Sequence, residues 1–120
     1  MKLKEIPLYP TKFFLDLWVS DDHELLSKRF SERYGAASDY YYEELSPNGV
    51  CTIESGKDTE LKGETRIVMN IAEINHLVIV HEANHVLFHL SKQCGLEICW
   101  NSQEWTSYML EYLFECCSEF

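Results

Sequence analysis

The longest uninterrupted helical pattern in the chain contains the sequence VIVHEANHVLFHL, from Val78 to Leu90. The pattern extends from Ile71 or Ala72 to Lys92 without an internal glycine or proline, and Gly95 ends it. Its apolar residues do not keep to one stripe, which is typical of a helix buried inside a globular protein. We therefore expect a long buried helix in the second half of the chain.

This segment contains His81-Glu82-Ala83-Asn84-His85, the pattern H-E-x-x-H. Residues four apart lie one turn apart on a helix, so both imidazoles can reach one metal ion. Glu82 lies about 100° around the helix from His81, where its carboxylate can contact a metal-bound water. The pattern predicts zinc (Zn2+) bound by His81 and His85, with Glu82 as the general base. The alternative is three incidental polar residues on an exposed helix.

Two histidines need a third protein ligand, and Glu104 is the candidate. Eighteen residues separate His85 from Glu104, and a chain reversal near Gly95 could return Glu104 to the metal. Asn101 with Glu104 three residues later is also a capping-box pattern, which would explain this glutamate without a metal. The residues leave both explanations open.

Tyr108 follows Glu104 by one helical turn and could point to the same place. A phenol there could stabilise an oxyanion, which makes Tyr108 a candidate catalytic residue. A tyrosine at helical spacing is also a common core residue.

The rest of the chain predicts a small sheet with two further helices. Ser20-Asp21-Asp22 caps a helix that ends near Tyr34, and a last helix runs over residues 102–117. Residues 36–48 are irregular, and strand patterns lie at residues 12–19, 50–55 and 64–71. We expect one α+β domain over residues 1–120, with a three-stranded sheet and its helices on one face.

Composition limits the partners. The formal charge of −10 disfavours nucleic acids and anionic membranes. No apolar run approaches the roughly 20 residues that cross a bilayer, and residues 1–5 resemble no signal peptide, so we expect a cytoplasmic protein. Its five cysteines lack metal-ligand spacing and are expected to be free, buried thiols. The sequence leaves the oligomeric state open.

The motif helix, the break at Gly95 and the glutamate eighteen residues later resemble the gluzincin branch of the zincin metallopeptidases. The chain length and the helix opening Ser102-Gln103-Glu104-Trp105 resemble small bacteriophage proteins of zinc-metallopeptidase type. The resemblance implies a minimal zincin fold in which strand 64–71 lines the substrate cleft, His81, His85 and Glu104 bind zinc, and Glu82 is the base. If the chain is viral, the compartment would be the host cytoplasm.

The function expected from this resemblance is hydrolysis of peptide bonds in a narrow protein or peptide target, such as a host factor. Larger gluzincins close the cleft with a second lobe, for which 120 residues leave no room. The alternative is a catalytically silent, acidic interaction or inhibitor protein with a structural or vestigial zinc site.

Overall fold

The computed structural model describes residues 1–35, 49–56, 61 and 63–120, so the irregular stretch predicted for residues 36–48 lies outside the described residues. The elements in chain order are β1 (Lys2–Pro7), β2 (Phe14–Val19), α1 (His23–Tyr34), β3 (Val50–Ser55), β4 (Thr65–Ile71), α2 (His76–Cys94), a 3-10 turn (Trp100–Ser102) and α3 (Gln103–Ser118). The three strands and three helices expected from the sequence are all present.

The strands form one mixed sheet in the order β1-β2-β4-β3. β2 and β4 pair in parallel, whereas β1 and β3 pair antiparallel to their neighbours. The α+β class is confirmed, but the sheet has four strands and the expected three is wrong. β1 was not predicted, because its sequence KLKEIP combines charged residues with a terminal proline. This composition is typical of an edge strand with little apolar surface.

Helices cover both faces of the sheet, so the expectation of one covered face is wrong. Leu15, Leu17, Ile67 and Met69 share a core with residues of α2 and α3. The alternate residues of the same strands, including Trp18 and Val68, pack with Leu26, Phe30 and Tyr34 of α1. The central strands β2 and β4 are buried on both faces, so each face needs its own helical cover.

A buried ionic network lies on the α1 side of the sheet. Asp16 is fully buried and accepts hydrogen bonds from Arg33 Nε at 3.1 Å, Arg66 Nη1 at 3.2 Å and the Tyr34 hydroxyl at 2.5 Å. Trp18 Nε1 donates to the same hydroxyl at 3.1 Å. The network joins β2, β4 and α1 by contacts that no local sequence pattern indicates.

Helix α2 begins four or five residues later than predicted. Asn75 is its N-cap, and its side chain accepts hydrogen bonds from Leu77 N and Val78 N at 3.0 and 3.3 Å. Gly95 ends the helix with a φ of 70°, a left-handed conformation that glycine adopts without strain.

Helix α2 is also less buried than its composition predicts. Leu77 is 82% exposed, and Val80 and Phe88 are exposed on the same side of the helix.

Within the described residues, no helix is long and apolar enough to cross a membrane. All five cysteines are free, but Cys94 and Cys99 are exposed, so the expected burial of all the thiols is wrong.

Candidate metal centre

His81 and His85 lie one turn apart on α2, with both side chains exposed to solvent. Their Nε2 atoms are 3.3 Å apart and their ring centroids 5.0 Å apart. Two nitrogens on one tetrahedral zinc, at bonds of about 2.0–2.1 Å, are separated by about 3.3–3.4 Å. The two imidazoles therefore already have the spacing of a pair of zinc ligands.

Glu82 differs sharply from the two histidines in exposure. Its side chain is 7% exposed, whereas that of His81 is 70% exposed, and Glu82 Oε1 lies 3.9 Å from His81 Nε2. Burial raises the pKa of Glu82, while His85 and His81 lower it when charged. No hydrogen bond to this carboxylate is formed by the part of the chain that the structure describes. A buried carboxylate without a hydrogen bond is costly, and a cation beside it, whether a charged imidazole or a metal ion, would offset that cost.

His81, Glu82 and His85 form the one metal-competent group among the described residues, with one ligand atom from each lying within 4.8 Å of the others. Two imidazoles and a carboxylate suit zinc, whose common ligands include both groups. With Glu82 as the base, the two imidazoles supply two of the three protein ligands of a catalytic zinc site, and the described residues bring no further ligand into this group.

His89 of α2 lies near the edge strand β3, beside this group. Burial lowers the pKa of His89, and the nearby backbone of Cys51 partly opposes that shift. The thiol of Cys51 has a raised pKa because of burial, and the charge of Glu82 adds to the rise. The sequence analysis gave neither residue a role, although His89 follows His85 by one turn.

The strand expected to line a cleft is enclosed in the sheet. β4 lies between β2 and β3 and pairs with both, whereas β3 is an edge strand of the described sheet. Because the backbone of β4 is paired on both sides, it cannot add a substrate strand. Glu64 and Thr65, at the start of the predicted strand, do line a cavity of about 520 Å³, and the expectation that this strand borders a substrate cleft stays a prediction. Both β3 and β4 contact α2, and β3 is the one of the two that lies at an edge of the described sheet.

Glu104 is not brought to the histidines. The ring of His76 contacts Phe114 of α3 at 5.3 Å, which places α3 against the His76 side of α2. His85 follows His76 by nine residues and therefore points about 180° away. Glu104 lies exposed in the first turn of α3, outside the group formed by His81, Glu82 and His85.

The capping alternative for Glu104 is not formed either. The N-cap of α3 is Ser102, without a side-chain cap hydrogen bond, and Asn101 lies within the preceding 3-10 turn. Ser102 Oγ instead donates to Glu97 O at 2.6 Å and accepts from Cys99 N at 3.0 Å. The structure therefore leaves Glu104 without either of the two contacts that the sequence suggested.

Tyr108 is likewise placed away from the histidines. Its side chain is exposed on α3 and lines a groove shared with Tyr9 and Pro10, at the β1–β2 connection.

Comparisons of the chain with protein-family models, with curated proteins and with solved structures give no match. The case for a function therefore rests on the site geometry and the motif.

Proposed function

We propose that this chain binds one zinc ion through His81 and His85 and hydrolyses peptide bonds in a narrow protein target. The observation that carries the proposal is the 3.3 Å separation of the two Nε2 atoms, the edge length of a tetrahedral zinc site. The nearby Glu82 carboxylate, within 4.8 Å of those nitrogens, supports the same function. A zinc ion held there would supply a bound water with a pKa near neutrality and a Lewis acid for a carbonyl oxygen.

In this proposal the two histidines and the glutamate of the motif have different roles. His81 and His85 hold the ion from the exposed side of α2, where a protein substrate has access. Glu82 lies toward β3, close enough to accept a proton at its carboxylate oxygen while leaving both imidazoles as ligands. Cys51 of β3 lies near that carboxylate, whose charge helps to raise the pKa of the Cys51 thiol. Glu104 as third ligand and Tyr108 as oxyanion donor stay predictions, and both require α3 to reach the opposite side of α2.

The ligand set can be tested by the metal content of the purified protein, measured by mass spectrometry after zinc is offered. We expect about one zinc per chain in the native protein and a loss of most of it in His81→Ala and His85→Ala. Asn84→Ala is the matched control, because Asn84 is an exposed residue of the same helix between the ligands. Loss of zinc in Glu104→Ala would establish the third ligand, and its retention would exclude Glu104. Equal zinc in the His85→Ala and native proteins would refute the site.

Catalysis is tested by Glu82→Gln with a peptide library as substrate. The amide keeps the size of the side chain and cannot accept the proton, so we expect zinc to stay bound and cleavage to fall by a factor of at least about 100. Asn84→Ala should cleave like the native protein. If Glu82→Gln cleaves as fast as native, this residue is not the base.

The second candidate function is an interaction protein whose zinc site is structural or vestigial. The favouring observation is the exposed apolar side of α2 around the histidines, formed by Leu77, Val80 and Phe88. An apolar patch on a protein of charge −10 fits a basic protein partner. Full biological activity of Glu82→Gln would favour this function over hydrolysis.

A further inference from the structure

A second candidate binding surface lies on α3, away from the histidines. An aromatic groove of about 280 Å³ opens between α3 and the β1–β2 connection, and its lining consists of Tyr9, Pro10, Trp105, Tyr108, Met109 and Tyr112. Tyr9 is 71% exposed and Tyr108 is 68% exposed, so ring surface is available to a ligand. Four of the six lining residues are aromatic.

Two long-range hydrogen bonds hold the groove together. The Tyr112 hydroxyl donates to Pro7 O at 2.6 Å, and Lys4 Nζ donates to Cys116 O at 2.9 Å. Both bonds fix α3 over β1, the edge of the sheet opposite β3. The groove is thus preformed, and its wall does not depend on a metal at His81 and His85.

The charged side chains that α3 itself carries are all acidic. Residues 93–120 contain no lysine or arginine, and α3 carries exposed carboxylates at Glu104, Glu111 and Glu115. With Tyr108 these residues are spaced by four, three and four, which places them along one side of the helix. The acidic row borders the aromatic lining at Tyr108.

We propose that the groove binds an arginine side chain presented by a basic segment of a partner protein. Aromatic faces attract cations, and the planar guanidinium stacks on aromatic rings better than an ammonium group does. The acidic row supplies the complementary charge, which disfavours a phosphate-bearing or purely apolar ligand. At about 280 Å³ the groove is smaller than most drug-sized pockets, so it suits one side chain of a longer segment.

The test is calorimetric titration of the full chain, with a chelator present, using a capped octapeptide of alternating glycine and arginine. A second peptide carries citrulline in place of every arginine, which keeps the planar shape and removes the charge. We expect the arginine peptide to bind at least about tenfold more tightly, and more weakly when sodium chloride is raised from about 0.05 M to about 0.5 M.

Variants of the chain separate the groove from general charge attraction. Tyr108→Leu keeps an apolar side chain and removes the ring, and we expect it to weaken binding about three- to tenfold. Trp105→Leu should act in the same direction, but Trp105 also packs against the core, so Tyr108→Leu at the surface is the decisive variant. Trp100→Leu is the matched control, because Trp100 is 80% exposed and does not line the groove.

Unchanged binding in Trp100→Leu together with the loss in Tyr108→Leu would support the groove. Three outcomes would overturn it: no binding of the arginine peptide, equal binding of the citrulline peptide, or equal weakening by Trp100→Leu and Tyr108→Leu. Because the titration contains a chelator, none of these outcomes depends on the zinc site.

Discussion

At the scale of single residues, neighbouring positions of the motif occupy different environments. His81 and Glu82 are adjacent in the chain, yet one side chain is 70% exposed and the other 7% exposed. The helical step of about 100° explains the difference, because it turns Glu82 from solvent toward β3. The relative directions of the three motif side chains on the helix could therefore be predicted from their spacing in the sequence. The exposure of the histidines could not, because it depends on which side of α2 meets the sheet.

Asp16 is the residue whose loss should cost the most stability. Its carboxylate carries the charge that compensates both Arg33 and Arg66 inside the protein. Asp16→Ala removes the fully buried carboxylate and its hydrogen bonds, while Arg33 keeps Glu5 and Arg66 keeps Glu5 and Glu64, so we expect the free energy of unfolding to fall by about 2–3 kcal/mol. Urea unfolding followed by circular dichroism measures the change.

The control for this prediction is Glu32→Ala. Glu32 pairs with Arg29 at 3.3 Å, but both side chains are about half exposed, so its removal should cost less than about 0.5 kcal/mol. A loss below about 1 kcal/mol in Asp16→Ala would mean that water or other groups replace the carboxylate.

At the scale of elements, the agreement between sequence and structure follows the strength of the local signal. Asp22 caps α1 and its carboxylate accepts from Leu25 N at 3.1 Å, as the cap pattern predicts. β3 covers the predicted residues 50–55, and β4 begins one residue after the predicted start at residue 64. The start of α2 was wrong because the apolar residues before Asn75 continue the helical pattern, and only the polar side chain of Asn75 marks the boundary.

Asn75 therefore offers a test at this scale. Asn75→Ala removes the acceptor for Leu77 N and Val78 N, so the first turn of α2 should fray and the free energy of unfolding should fall by about 1 kcal/mol. Asn75→Asp keeps the acceptor and should stay within a few tenths of a kcal/mol of native. Thermal unfolding of the three proteins measures both effects. Equal losses in the two variants would show that the cap hydrogen bonds do not stabilise the helix.

At the scale of the whole molecule, the sequence could not show how the helices are distributed around the sheet. Apolar residues on both faces of β2 and β4 require cover on both sides, and α1 provides it on one of them. The side of α2 that α3 contacts is likewise set by packing, through His76 and Phe114. Glu104 has the right separation in sequence from His85, but sequence separation does not determine on which side of a helix its neighbour packs.

The same arrangement predicts how the protein responds to removal of the metal. His81, Glu82 and His85 belong to neither hydrophobic core cluster, and α2 is anchored by Ile79, Val86 and Leu90. We therefore expect the metal-free chain to stay folded and to unfold in one cooperative transition. Free zinc at about 100 times its Kd should add about 2.7 kcal/mol, on the order of 10 °C in Tm.

His85→Ala should lose this zinc-dependent rise in Tm while unfolding normally without metal. The comparison also tests whether the zinc is structural, because a structural zinc site contributes folding free energy that chelation removes. If a chelator abolishes the cooperative transition of the native chain, the ion stabilises the fold and the interaction protein gains support. If the transition persists at a lower Tm, the ion is held on an already folded surface, which excludes a structural zinc site and leaves the cleavage assay of Glu82→Gln to separate a hydrolytic centre from a vestigial one.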